Sequence, residues 1–291
     1  MPTLENTALI FEGGAMRASG TAPFVVTLLE NEIFFPHVSG ISAGASNAVN
    51  YLSRDADRAK RSFVDFIADP NIGSIGSFLR GDGYFNAKYI YEEAGLQDAP
   101  LPFDFEAFWN NPAQLRISSF RVRDGKPVYW SRADIRDEAD LMRKVRAAST
   151  MPGLMNYVQI DGELYADGAL GPSGGIPLEA AEMDGYRNFV VVLTRPRDYV
   201  KKTPKNPALY KRAFRKYPHL VKALLQRHKK YQATRRRLLQ LERQGRAYVY
   251  YPWHMQVTGL ERSVQKLQAN YDAGYFQCQQ TLPYLKAWLG L

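Results

Sequence analysis

Short, nearly unbroken apolar runs alternate along the first half of the chain with longer stretches whose apolar residues recur every three or four positions. Thr7-Ala8-Leu9-Ile10-Phe11 is the first such run and stops at Glu12-Gly13-Gly14. This predicts a buried strand entering a glycine turn. Residues 19–35 follow as a helix, with Phe24, Leu28 and Leu29 on one side and Pro23 in the first turn. Phe35-Pro36-His37-Val38-Ser39 reads as a second strand and 45–52 as a second helix. In 55–68, Ala59, Phe63, Phe66 and Ile67 fall at helical spacing, with Arg58, Lys60 and Arg61 outside. The order β, α, β, α, α predicts a parallel, helix-covered sheet.

The pattern then loosens. Residues 71–83 are rich in Gly and Ser and predict a loop. Its Ile72, Ile75, Phe78 and Leu79 either pack on the body or form a lid or lipid-contacting edge. Asn86 caps a helix to Ala94. Two strands, 113–122 and 126–130, flank the turn Arg123-Asp124-Gly125-Lys126. A helix over 136–149 stops before Pro152. Tyr157-Val158-Gln159-Ile160 and Glu163-Leu164-Tyr165-Ala166 form a hairpin about Asp161-Gly162, running into Asp167-Gly168-Ala169. A helix over 177–183 and a central strand over 188–194 complete this part. Beyond it, 207–217 and 219–244 read as helices, 247–251 as a strand, and 263 onward as a helix.

Charge divides the chain. Its net charge is +9, yet 16 of the 38 basic residues and one of the 29 acidic ones lie in 200–246. That leaves 22 basic against 28 acidic residues elsewhere. The reading is a catalytic α/β domain over 1–198 and a basic helical extension over 199–291 packed on it. At 291 residues and 45% apolar the chain can bury a sizeable core. It has no apolar run of about 18 residues, so no transmembrane helix is expected. The start, Met1-Pro2-Thr3-Leu4-Glu5-Asn6, lacks the pattern of a secretory signal. The single cysteine, Cys278, excludes an internal disulfide and a cysteine metal site, and fits a reducing compartment. The expected location is cytoplasmic, with peripheral contact at the inner membrane surface.

Three features carry candidate chemistry. Gly40-Ile41-Ser42-Ala43-Gly44 is a G-x-S-x-G between a predicted strand and helix. Such a turn holds its serine at a strained backbone with the hydroxyl exposed, and the flanking glycines let strand and helix approach closely. Glu12-Gly13-Gly14-Ala15-Met16-Arg17 turns from strand to helix, where free N–H groups and a helix start suit an oxyanion or a phosphate. Asp167-Gly168-Ala169 puts an acid at a strand end. A serine nucleophile needs a base and a stabilised oxyanion. An aspartate at its ordinary pKa of ~3.9 is a weak base, so the site must raise that value or stabilise the anion strongly.

These stretches, in this order, resemble the patatin-like phospholipase family. Its pattern is an acid with three glycines, any residue, Arg and Gly, then G-x-S-x-G, then D-G-G or D-G-A. Ala147-Ala148-Ser149 to Pro152 is similar to the region before the acid. Gly44-Ala45-Ser46-Asn47-Ala48-Val49-Asn50-Tyr51, and Val257-Thr258-Gly259-Leu260-Glu261-Arg262 through Gly274, are similar to a bacterial subgroup with a C-terminal extension. The resemblance implies an α/β fold with a mostly parallel central sheet covered by helices on both faces. It implies a Ser42–Asp167 dyad, an oxyanion hole at Gly13, Gly14 and Ala15 with Arg17 beside it, and support from Gly40, Gly44 and Gly168. The implied activity is hydrolysis of phospholipid or other acyl esters, with no metal or organic cofactor. Ala15 and Ala18 stand where the family has glycine, and Glu12 where Asp is common. A Cβ at Ala15 resists positive φ, so a tuned oxyanion turn is expected.

Other readings stay open. Ser42, Asp167 and then His219, His228 or His254 would give the chain order of a Ser-His-Asp hydrolase. Of these, only His254 lies clear of the Lys/Arg-rich helix, and His37 reads as structural. A lipid- or membrane-binding protein with a weak or lost site is the alternative outside enzymes. Residues 200–246 present a solvated face, a surface for anionic membrane, or a nucleic-acid surface. The last is disfavoured because no recognised module accompanies the charge.

Overall fold

The computed structural model of the chain describes residues 1–81 and 83–291. Its centre is an eight-stranded sheet with β4 paired to β3 and the order β5-β6-β3-β2-β1-β7-β8. The strands are β1 Thr7–Phe11, β2 His37–Gly40, β3 Gln114–Arg121, β4 Pro127–Trp130, β5 Val158–Ile160, β6 Glu163–Asp167, β7 Asn188–Val192 and β8 Ala247–Tyr250. Neighbours from β3 through β2, β1 and β7 to β8 run parallel, and β4, β5 and β6 add antiparallel pairs. The mostly parallel, helix-covered sheet expected from the sequence is therefore what forms.

Both faces of the parallel strands are covered, which is why β1 and β7 read as unbroken apolar runs. Leu9, Phe11, Val190 and Val192 point into one core, while Ala8, Ile10, Phe189 and Val191 point into another. The larger core is covered by α1 Ala22–Glu30, α2 Ala43–Leu52, α3 Ala56–Arg61, α5 Phe105–Asn110 and α6 Glu138–Ser149 in part or whole, while α4 Ile75–Arg80 lies outside it with its large apolar side chains exposed. The opposite face carries α7 Leu178–Met183. Then come α8 Pro207–Ala213, α9 Pro218–Arg243 and α10 Val264–Leu289. Tyr231, Leu238 and Leu241 of α9 complete the second core, whereas Tyr271, Cys278, Leu285 and Leu289 of α10 return to the first. Cys278 is buried.

Several elements are shorter than their periodicity predicts. The stretch 19–35 divides into a 3-10 turn, Ala15–Gly20, and α1, with Pro23 in its first turn. The stretch 55–68 keeps a helix only to Arg61, and ends in the 3-10 turn Phe66–Ala68. Asn86 does cap a helical stretch, accepting from Tyr89 N at 3.3 Å, but that stretch is α only at 87–88 and continues as a π-type turn over Tyr89–Glu93. The predicted loop 71–83 contains α4, fixed by a reciprocal cap between Ser74 and Ser77. Asp82, in that stretch, lies outside the described residues. Short α5 was not anticipated, although Asp104 caps it by accepting from Ala107 N at 2.8 Å.

The sheet also crosses the expected boundary at 198/199, because β8 pairs with β7 from Phe189↔Ala247 to Val192↔Tyr250. Basic α9 is not a solvated face throughout. Arg235 is buried and donates to the carbonyls of Pro196 and Arg197 at 2.9 and 2.8 Å. Lys230 Nζ donates to Leu170 O at 3.3 Å. Its charges pin the loops at the C-terminal edge of the sheet. No described helix is long and apolar enough to cross a membrane.

Candidate active site

Parallel strands end together, so the loops leaving their C-terminal edge share one crevice. The chain's three candidate stretches meet at that edge, with Thr194 beside them. β1 runs into Glu12–Arg17, β2 into the serine turn, β6 into Asp167–Ala169 and β7 into Thr194. Strand β3 sets the spacing. Its first half pairs with β2, ending at Gly40↔Ile117, and it continues to Ser119, which lies opposite Asp167. Asp167 thus stands just past the end of β2, where Ser42 is.

Ser42 holds φ +56° and ψ −130° at the head of α2, a backbone that L residues rarely adopt. Its N–H donates to Ala148 O at 3.1 Å. The flanking glycines allow the turn sterically: a Cβ at Gly40 would collide with the Gly44 carbonyl, and one at Gly44 with the Phe11 carbonyl. A Cβ at Gly168 would strike the Ser118 carbonyl, so the acid loop can close on β3 only with glycine there.

Asp167 is buried. Its Oδ1 accepts from Ala169 N at 2.8 Å, and its own N–H donates to Thr150 O at 2.9 Å. Burial raises the pKa of its carboxyl. Arg227, the Ala169 N–H, the facing Ser42 hydroxyl and Lys201 pull the other way without cancelling that rise. A carboxylate raised by burial is a better base for a hydroxyl than one in water.

The first glycine turn takes a form that Ala15 was expected to resist. Ala15 holds φ at +47° despite its Cβ. The Gly13 N–H donates to Gly175 O at 3.1 Å, and Met16 N–H to Gly259 O at 3.3 Å. Gly13 therefore has no N–H to offer an oxyanion, which corrects its expected role as a donor. Gly13 keeps a steric one, since its Cβ would lie 3.0 Å from Ser42 Cβ. The N–H groups of Gly14 and Ala15 have no acceptor among the described residues. Buried Glu12 anchors the turn: its Oε2 accepts from Thr194 N at 2.5 Å and from Thr194 Oγ1 at 3.1 Å. Arg17 lines the same space, its pKa lowered to about 10 by burial first and Arg195 second.

Two cavities meet at Ser42. One, about 750 Å³ counting its mouth, is walled by Met16, Phe63, Phe66, Ile67, Phe85 and their apolar neighbours, and reaches Ser42 past Ala15 and Met151. The other holds Ser42, Asp167, Arg17, Arg195, Lys201 and Arg227, with Gly259 and Leu260 from the extension. Sequence reasoning missed Arg195, Lys201 and Arg227. Arg195 had a readable signal, since it follows β7 by three residues, at the edge where such sites form.

None of the four histidines lines either cavity, so the Ser-His-Asp alternative has no base to offer. His254 is exposed, and His219 sits against the Gly125 turn. His37 starts β2 at the opposite end from Gly40, buried, with Nδ1 3.4 Å from Asp184 Oδ2. Burial lowers its pKa to about 4 against the pull of Asp184, so it is neutral and structural. No group of described residues is arranged to hold a metal ion.

Residues 217–290 match a family model described as a domain of unknown function, DUF6363. No curated protein sequence matches the chain. Among solved structures the chain is similar to VipD from Legionella pneumophila, with a TM-score of 0.54 over 96% of this chain and 67% of that one, at 12% identity. That likeness concerns the fold. Residues 9–181 match the family model for patatin-like phospholipase, and this match takes in the serine turn, the glycine turn and the acid. The chain belongs to the patatin-like phospholipase family, a family of lipid acyl hydrolases.

Proposed function

We propose that the protein is a serine hydrolase of lipid acyl esters that works through a Ser42–Asp167 dyad. The observation that carries this reading is the meeting, at one strained serine, of a buried high-pKa carboxylate and an apolar cavity. The acyl chain lies in the apolar cavity with its ester carbonyl at Ser42. Ser42 Oγ attacks that carbonyl carbon while Asp167 takes the hydroxyl proton. The oxyanion so formed accepts from the N–H groups of Gly14 and Ala15, with the positive charge of Arg17 nearby. Collapse expels the alcohol, which takes the proton from Asp167. Water then attacks the acyl-serine as Asp167 takes its proton, and Asp167 returns that proton to Ser42 Oγ as the acyl–oxygen bond breaks and the fatty acid leaves.

Contact with an anionic membrane through 200–246 belongs to the same reading. Lys202, Lys205, Lys211, Arg212, Arg215 and Lys216 are exposed. Ile75, Phe78 and Leu79 are 70%, 49% and 80% exposed on α4, next to Ile72 in the apolar cavity wall. Charge would hold the protein at the lipid surface and the α4 side chains would enter it. A fluorophosphonate probe tests the chemistry. Labelling at Ser42, lost in Ser42→Ala together with hydrolysis of p-nitrophenyl esters, is the expected result. A folded, lipid-binding protein with no label at Ser42 would instead be a binder with a lost site.

A further inference from the structure

The second cavity at Ser42 is unusual in its charge. Arg17 comes from the turn after β1, Arg195 and Lys201 from the loop after β7, and Arg227 from α9. None of the four has a carboxylate within 4.0 Å among the described residues. Two carboxylates, Glu12 and Asp167, are near enough to offset part of that charge through space, but neither makes an ion-pair contact with the four, and both are anchored by neutral donors, Glu12 by Thr194 and Asp167 by Ala169.

The four cations outnumber these two carboxylates and are positioned by other contacts. Arg227 Nε donates to Gly174 O at 3.0 Å, which commits one nitrogen and leaves the two terminal ones. Lys201 Nζ lies over the Tyr231 ring at 5.0 Å, and the Arg195 guanidinium over the Tyr199 ring at 4.4 Å. Buried Arg17 Nε has no partner. Lys201 is lowered to about 7, by burial first and then by Arg227, with Arg17 and Arg195 adding to it and Glu12 opposing. Gathering like charges in a half-buried space is unfavourable unless an anion joins them. Guanidinium groups match phosphate in geometry as well as charge.

We propose that Arg195, Lys201 and Arg227, with Arg17, bind the phosphate of a lipid headgroup, so that the substrate is an anionic phospholipid and not a zwitterionic or neutral one. The inference rests on the hydrolase reading above. The two cavities share Ala15, Ser42 and Met151. A phospholipid can therefore lay its acyl chain on one side of Ser42 and its phosphate on the other, with the scissile ester between. A choline or ethanolamine group would bring a fifth cation to the cluster. Arg227, Gly259 and Leu260 give the extension of unassigned function a role: it closes the headgroup side of the site.

The test uses one acyl chain on four heads: lysophosphatidic acid, lysophosphatidylglycerol, lysophosphatidylcholine and monoacylglycerol. Fatty-acid release is measured with the full-length protein. The expected kcat/KM for the two anionic lipids exceeds that for the other two by about tenfold or more. In the Arg195→Gln/Arg227→Gln double variant, shown folded by circular dichroism, that ratio drops to within threefold of one, mainly through KM. Equal kcat/KM across the four lipids, or a ratio unchanged in the variant, overturns the headgroup site and leaves the hydrolase intact. If no lipid is cleaved and Ser42 takes no fluorophosphonate, the hydrolase reading fails, and binding decides the site alone. Calorimetry on Ser42→Ala protein then compares lysophosphatidic acid, glycerol phosphate and inorganic phosphate. Lipid binding that is lost in the double variant, with proton uptake at pH 8 as Lys201 recovers its charge, supports the site. Inorganic phosphate binding as tightly as the lipid, or no binding by any of the three, overturns it.

Discussion

Replacing Ala15 by glycine probes the turn on which the oxyanion depends. Ala15 holds φ at +47°, where a Cβ costs about 1–2 kcal/mol. Glycine removes that cost but gives the unfolded chain more freedom, worth about 0.4–1 kcal/mol in the other direction. The lost methyl lines the two cavities and does not pack within a core, so no closed void adds to the balance. The expected net effect is a gain of about 0.5 kcal/mol, a rise of roughly 1–2 °C in Tm for a chain of this size. Valine reverses the argument, because a β-branched side chain fits positive φ worst. The turn then relaxes and carries the Gly14 and Ala15 N–H groups out of line. One misplaced oxyanion donor costs about 10²–10³ in kcat. Urea unfolding at constant slope reads the stability, and p-nitrophenyl ester hydrolysis reads kcat. Ala15→Gly should unfold at an equal or slightly higher urea midpoint with kcat within about threefold, and Ala15→Val should lose at least about tenfold in kcat. A glycine variant destabilised by more than about 1 kcal/mol, or a valine variant with full activity, would refute the reasoning: the first denies the strain, the second the donors.

Asp167→Asn should lower kcat by about 10³-fold with an unfolding midpoint equal to or above the wild type's, because the buried carboxylate it replaces costs stability when ionised. Because burial raises the Asp167 pKa and the base works deprotonated, wild-type kcat should fall on acidification through a value above the ordinary ~3.9; an acid limb lying below that value would count against the dyad. Arg235→Ala leaves the Pro196 and Arg197 carbonyls without their donor, and should cost about 1–3 kcal/mol in urea unfolding; a loss under about 0.5 kcal/mol would show the loop is held elsewhere. His37, at about 4 in the fold against ~6.5 unfolded, contributes stability that is complete above pH ~6.5 and lost as the pH falls toward 4, on the order of 3 kcal/mol in total. His37→Gln should flatten that slope in urea midpoints taken between pH 4 and 7, and an unchanged slope would assign it to other groups.

What was readable in the sequence was what short-range physics decides. The run 7–11 is a strand because four apolar residues after Thr7 lead into a glycine turn. Ser42 stood out because glycines two positions to either side fit only a turn too tight for a Cβ. Asp161-Gly162 marked a hairpin, and both residues do take positive φ. Contacts that depend on how distant segments pack were beyond it. The stretch 55–68 has helical periodicity to its end, yet helix stops at Arg61, and Phe66 and Ile67 instead wall the apolar cavity. In 200–246 the excess charge was plain, but a count cannot tell an outward lysine from an inward arginine. Lys211 and Arg212 face solvent, Arg235 holds two carbonyls, and Arg227 reaches the serine's cavity. The same blindness affected Gly13. Its place in the motif made it an oxyanion donor, whereas its N–H is taken by Gly175, a residue far along the chain that only the folded sheet edge brings near. A motif specifies which backbone can bend. Which of its N–H groups stay free is decided by the neighbours that the fold delivers, and here those include the extension: Gly259 accepts the Met16 N–H and so steadies the turn from outside. Truncation before residue 217 would then remove more than a basic surface. It would strip the glycine turn of an acceptor, the cavity of Arg227, and β7 of its neighbour β8, so the motif-bearing part alone is expected to expose an apolar sheet edge and to aggregate.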